Sequence, residues 1–129
     1  MDLMVNAAEE HIKYAQECLT MARIALVSGN FRSSVNRSYY CAFNCAQALI
    51  AGDGVSYKKH SAVIGHFNKN FIHTGILDAK LYKIISRLFD DRNVCDYDMG
   101  HSVAEEDVAA RIDDAAYFLE EVKKHLKIL

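Results

Sequence analysis

No proline interrupts the 129 residues of this chain, and that absence constrains its fold more than any other feature. At a usage of about 5%, roughly six prolines are expected in this length. Proline lacks a backbone N–H and clashes with the preceding helical turn, so long helices exclude it from their interiors. A chain without it suits a helical protein and suits a turn-rich β protein poorly. Glycine is also scarce, six in all, so the few breaks are easy to place.

Between those breaks the apolar residues recur at helical spacing. From about Asn6 to Val27, the positions Ala8, Ile12, Ala15, Leu19, Ala22 and Leu26 trace one stripe. Asn6 with Glu9 has the spacing of a capping box that opens this helix. Gly29 stops it, and Asn30 can cap the next. Phe31 to Ala51 is apolar nearly all round, which predicts the central helix of a bundle. Its polar residues Arg37, Tyr40 and Asn44 fall at i, i+3 and i+7, on one face. Gly52-Asp53-Gly54 ends it. A short helix is expected over Ser61–Ile72, with Val63, Ile64, Phe67 and Phe71 inward, stopped by Gly75. A fourth is expected over Leu77–Phe89 with the stripe Leu81, Ile84, Ile85 and Leu88. Asn93 to His101 reads as a helix end and a loop. Ser102 with Glu105 forms a second capping box, opening a last helix with Val108, Ile112, Ala115, Leu119, Val122 and Leu126 inward. There is no repeat, linker or low-complexity tract. The expectation is a single all-α domain over residues 1–129: an antiparallel up-and-down bundle of four long helices plus a short one.

Composition bounds the function. A hydrophobic fraction of 51% with 25% charged residues is that of a globular domain with a core. The net charge of −2 argues against a general polyanion binder. No apolar run approaches the ~20 residues of a membrane span, and the N-terminus lacks the basic start of a secretory leader. The expected location is cytoplasmic, with Cys18, Cys41, Cys45 and Cys95 reduced. Cys41 and Cys45, one helical turn apart, read as small core residues rather than half of a metal site.

One stretch departs from this charge balance. Lys58, Lys59 and Lys69, with His60, His66 and His73, lie between Gly54 and Gly75, where no acid occurs. An anion-binding surface and an ordinary solvated helix face both fit that pattern. His66 and His73 are two helical turns apart, about 10 Å by helix rise, too far to share one metal. No metal or cofactor is expected. Phosphate-cradling glycine loops and nucleophile elbows are also missing.

The remaining oddity is Arg92-Asn93-Val94-Cys95-Asp96-Tyr97. On a helix, Arg92 and Asp96 sit one turn apart and can pair, and Tyr97 adds a phenol. A structural pair closing the bundle end is one reading, and a functional motif is the other.

Residue patterns along the chain bear on that choice. Asn36-Arg37-Ser38-Tyr39-Tyr40-Cys41-Ala42-Phe43-Asn44-Cys45-Ala46-Gln47-Ala48-Leu49-Ile50 resembles the R-x-Y-Y-x-A-F-x-A-x-x-A-L-L second helix of HEPN-domain proteins. Lys59-His60, the run Phe67…Phe71…Gly75-Ile76-Leu77, and Leu88-Phe89-Asp90-Asp91-Arg92-Asn93-Val94-Cys95-Asp96-Tyr97 are similar to later segments. The last corresponds to the R-x-x-A-D-Y signature of small stand-alone members. The resemblance spans nearly the whole chain in the right order.

It implies an up-and-down helical bundle that dimerises, bringing the arginine motifs of both protomers together. It also implies a minimal nucleotidyltransferase as partner, frequently in a toxin–antitoxin pair. Many members are metal-independent ribonucleases whose motif is Arg, four to six residues, then His. Here the corresponding positions after Arg92 are Tyr97, Asp98 and Met99, and His101 lies beyond them. The chemistry is sensitive to that change. Cleaving RNA by transesterification needs a group that takes the 2′-hydroxyl proton near neutral pH, which suits His. Asp96 paired with Arg92 becomes a weaker base, and Tyr97, with an ordinary pKa near 10, stays protonated. Arg92 still offers a planar fork to phosphate. The resemblance, more than the chemistry, favours a module that binds nucleotide or nucleic acid through Arg37, Tyr40, Arg92, Asp96 and Tyr97. The rivals are a divergent ribonuclease using Arg92 with Asp96 or His101, and a bundle that only dimerises.

Overall fold

The computed structural model describes residues 3–97 and 103–129, with side chains described over 7–95 and 103–129. Five α-helices occupy nearly all of it: α1 (Leu3–Val27), α2 (Phe31–Ala51), α3 (His60–Phe67), α4 (Ala79–Tyr97) and α5 (Glu105–Leu126). No strand occurs among the described residues. The protein is the all-α bundle that the periodicity predicts, four long helices and one short.

Each predicted stripe is the buried face of its helix. Ala8, Ile12, Ala15, Leu19 and Ala22 on α1 are buried, and so are Leu81, Ile84, Ile85 and Leu88 on α4. Val108, Ile112, Ala115, Leu119 and Val122 do the same on α5. Each buried Leu, Ile or Val side chain contributes about 1.5–3 kcal/mol. Helix α2 is central, packing against α1, α3, α4 and α5, which is why its sequence is apolar on all sides. Cys41 and Cys45 are both buried there, and burial holds the Cys45 thiol well above its ordinary range.

The α1–α2 turn follows the predicted chemistry. Gly29 adopts φ +78°, where an L side chain is strained. The Asn30 N–H reaches back to Ala25 O at 2.8 Å and the Gly29 N–H to Leu26 O at 3.0 Å, a Schellman closure. The Asn30 side chain then accepts from Ser33 N at 3.4 Å, capping α2.

Other boundaries differ from expectation. Helix α1 begins at Leu3, which places Asn6 inside the helix rather than at its cap. One π-helical turn, Asn68–Ile72, continues α3 and carries the buried Phe71. Helix α4 starts at Ala79, with Asp78 Oδ1 accepting from Lys80 N at 2.8 Å. It runs through Tyr97, so Asn93 to Tyr97 is helical and not a loop. No Gly or Pro stands between Ala79 and Tyr97 to stop it. Helix α5 opens at Glu105 with extended Ala104 at the cap and no side-chain capping bond. The expected cap Ser102 lies outside the described residues.

Candidate functional site

Helix α2 places Tyr39 and Tyr40 side by side, with Phe43 a turn later. Their rings form an aromatic corner: Tyr39 and Tyr40 meet edge-on at 5.2 Å, and Tyr39 stacks on Phe43 at 5.6 Å. His60, the first residue of α3, closes the corner. Its ring stacks on Phe43 at 4.1 Å and lies edge-on to Tyr40 at 5.8 Å. Phe89 of α4 packs against Tyr39 at 5.7 Å.

Arg92, one turn beyond Phe89, rests on this corner. Its guanidinium carbon lies 5.4 Å from the centroids of both Tyr39 and Tyr40. Cation–π contacts of this kind contribute about 0.5–2 kcal/mol, more where water is excluded. Arg37, a turn before Tyr40 on α2, lies 5.7 Å from the same Tyr40 ring. It donates to Tyr14 Oη of α1 at 3.3 Å. Two guanidinium groups thus meet one phenol ring. Both bring positive charge to the same ring, which favours an anion in its neighbourhood.

The environment sets the protonation of the neighbours. Tyr39 is fully buried, and burial drives its phenol far above its ordinary value, even beside Arg92. His60 is shifted down, first by burial and then by Arg92. The site therefore carries the two arginine charges, a neutral phenol and a neutral imidazole near pH 7.

The structure brings Arg37, Tyr40 and Arg92 together around one ring. The backbone sets Asp96 one helical turn beyond Arg92. The side chains of Asp96 and Tyr97, and the whole of His101, lie outside what is described. Asn44 does not join the site: its Nδ2 donates to Tyr40 O at 2.9 Å, and its Oδ1 meets His11 Nδ1 at 3.1 Å.

His60 is the residue that pattern reading missed. The sequence placed it in the basic stretch, together with Lys58, Lys59 and Lys69. Its usable signal was the Lys59-His60 pair within the family resemblance. A groove of about 520 Å³ leads from this corner between α3 and α4, lined by Ser61, Ile64, Tyr82, Ser86 and Phe89. Asp90 also lines it, and its carboxylate makes the groove less favourable to an anion.

The other two histidines of the basic stretch have local partners. His66 Nε2 sits 2.8 Å from Asp53 Oδ2, and its Nδ1 meets Tyr57 Oη at 3.0 Å. His73 meets the Asn68 amide at 3.3 Å. Lys58, Lys59 and Lys69 are exposed. Among the described residues, no group of three His, Cys, Asp or Glu is arranged to hold a metal. No described helix is long and apolar enough to cross a membrane.

The geometry joins the R-x-Y-Y segment of α2, His60 and Arg92, three separate parts of the family pattern. A model of the HEPN domain matches residues 8–125. The chain belongs to the HEPN family. Among its relatives is the UPF0332 protein of Thermotoga maritima, 36% identical over 129 residues, which cover 97% of this chain and 98% of that one. A candidate toxin of Methanocaldococcus jannaschii is 31% identical over 118 residues, covering 92% of this HEPN chain and 80% of the relative. A second candidate toxin of that organism is 32% identical over 116 residues, covering 90% and 86%.

Proposed function

We propose that this HEPN protein is a cytoplasmic, homodimeric module that holds the phosphate groups of a nucleotide or RNA at Arg92 and Arg37. In this reading a minimal nucleotidyltransferase is its partner, within a toxin–antitoxin pair. The observation that carries the reading is the pair of guanidinium groups on the Tyr40 ring. Arginine binds phosphate through a planar fork of donors, and its five N–H groups let it keep a protein contact while holding an oxygen. The rings keep the guanidinium of Arg92 in place before any ligand arrives, which lowers the entropy cost of binding.

The relatives named as candidate toxins support the toxin–antitoxin setting. Support for the dimer comes from α1, where Tyr14, Met21 and Ile24 are 42%, 43% and 61% exposed and lie on one side. Exposed apolar stripes of this kind mark contact surfaces, and Arg37 bonds to Tyr14 at its edge. The ribonuclease alternative needs Asp96 or His101 to act as base, because the motif position has no histidine.

Calorimetric titration with a nucleoside triphosphate, beside sedimentation of the same samples, tests the reading. A dimer whose nucleotide binding disappears in Arg92→Ala while the dimer persists is the expected result. A monomer at tens of micromolar, or binding unaffected by Arg92→Ala, overturns it. Co-purification with a tagged nucleotidyltransferase from a neighbouring gene tests the partner.

A further inference from the structure

We infer that His60 is a ligand-binding residue of the Arg92 site, presenting Nε2–H to a phosphoryl oxygen beside the guanidinium. This rests on the phosphate-binding reading above and assigns a residue and a chemical role that neither the arginine motif nor the α2 segment supplies.

The case begins with Tyr39. Its hydroxyl lies 2.9 Å from His60 Nδ1, and it has no other hydrogen-bond partner among the described residues. The ring is fully buried. If Nδ1 carried the proton, it would donate to the phenol oxygen and leave the phenol O–H buried without an acceptor. A buried donor without a partner costs more than a hydrogen bond gains. The arrangement that leaves nothing unpaired has Tyr39 O–H donating to Nδ1. A neutral imidazole holds one proton on its two nitrogens, so that proton sits on Nε2. The alternative with both nitrogens protonated is disfavoured by burial and by Arg92.

Nε2–H is also available. It makes no hydrogen bond to the described residues and is not among the enclosed, unpartnered polar atoms. His60 as a whole is half-buried. Stacking on Phe43 at 4.1 Å and the Tyr39 bond fix the plane and direction of the ring. The site then offers a fixed cation on Arg92 and a fixed neutral donor on His60, both bordering the Tyr39 and Tyr40 rings. A tetrahedral oxyanion with several acceptor oxygens matches that donor pair.

The same tautomer carries a consequence for catalysis. A protonated Nε2 has no lone pair with which to take a 2′-hydroxyl proton. In this tautomer His60 therefore does not replace the histidine missing from the ribonuclease motif as the proton acceptor.

Two replacements separate donor from bulk. In His60→Gln the amide nitrogen reaches the place of Nε2, whereas in His60→Asn it reaches only that of Nδ1. Adenosine triphosphate titrations should show His60→Gln close to wild type and His60→Asn weakened about tenfold or more, the loss of one hydrogen bond to a charged group. Circular dichroism melts of both variants check that each is folded. Nitrogen NMR of the ligand-free wild type reads the tautomer directly, without relying on binding. Equal losses in the two folded variants, or an Nδ1–H tautomer, overturn the assignment while the Arg92 reading stands. A wild-type protein that binds no triphosphate overturns the phosphate reading itself, and the ligand role of His60 with it.

Discussion

His60 and His66 lie six residues apart on α3, and each meets a tyrosine hydroxyl through Nδ1, at 2.9 and 3.0 Å. The local bond is the same, and the charge on the far side is opposite. His66 has the Asp53 carboxylate 2.8 Å from Nε2, which occupies that nitrogen and ties the loop after α2 to α3. His60 has Arg92 across the aromatic corner, which disfavours a second positive charge, and its Nε2 makes no hydrogen bond to the described residues. Their tyrosines differ as well: Tyr39 is fully buried and Tyr57 is 43% exposed. One histidine–tyrosine pair is built into the core beside a cation, and the other is a surface clasp. A hydrogen bond alone does not say what a histidine does; its charged neighbour and its burial decide.

Truncating the tyrosines tests that contrast most severely. Tyr39→Ala should cost about 3–5 kcal/mol, the range for removing a buried aromatic, whereas Tyr57→Ala should stay within about 1 kcal/mol, as surface changes do. Urea denaturation of both variants measures this, and similar losses would dissolve the distinction.

The milder pair is Tyr39→Phe and Tyr57→Phe. The first leaves His60 Nδ1 without its donor and should cost about 1–2 kcal/mol. The second removes an exposed bond and should cost no more than about 0.5 kcal/mol.

Acid should weaken the fold through His60. The folded-state pKa of His60 is lowered from about 6.5, so the unfolded chain binds this proton more readily. The stability that follows is present above pH 6.5 and is lost as pH falls through the lower folded value. The groups facing His60 are Tyr39, Tyr40 and Phe43 from α2 and Arg92 from α4. Melting temperatures followed from pH 8 to pH 5 should fall less steeply in His60→Gln than in wild type. An unchanged slope would remove the charge argument.

The smallest effect belongs to the clasp. Asp53→Asn weakens a part-exposed ion pair and should cost less than about 1 kcal/mol. The difference should shrink in 1 M salt, where screening is strong. The His60–Tyr39 contact carries no ion pair, and the stability cost of Tyr39→Phe should be the same in low and high salt.

What the sequence made legible was local. Gly29 and Asn30 mark the α1–α2 turn because a positive φ and a side-chain cap are properties of one or two residues. The bounds of α2 came out as expected for the same reason. The end of α4 did not, since Asn93 to Tyr97 lies on a helix that no residue interrupts. The start of α5 was placed too early, because the backbone is still extended at Ala104. In the site, Arg37 and Tyr40 were legible through shared helix register, and Arg92 through its motif. His60 was not legible as a site residue, because its partners Tyr39, Phe43 and Arg92 come from two other helices. Spacing along a chain records which residues share a face and not which faces meet.

The central claim is that Arg92, seated on Tyr39 and Tyr40, holds phosphate without cutting RNA. Fluorescence anisotropy of a labelled oligoribonucleotide in EDTA, with the RNA recovered afterwards and sized on a gel, addresses both halves of it. The account predicts binding by wild type, at least about tenfold weaker binding by Arg92→Ala, and full-length RNA in both samples. Equal affinity in the two proteins, or RNA shortened by wild type and spared by Arg92→Ala, would contradict it.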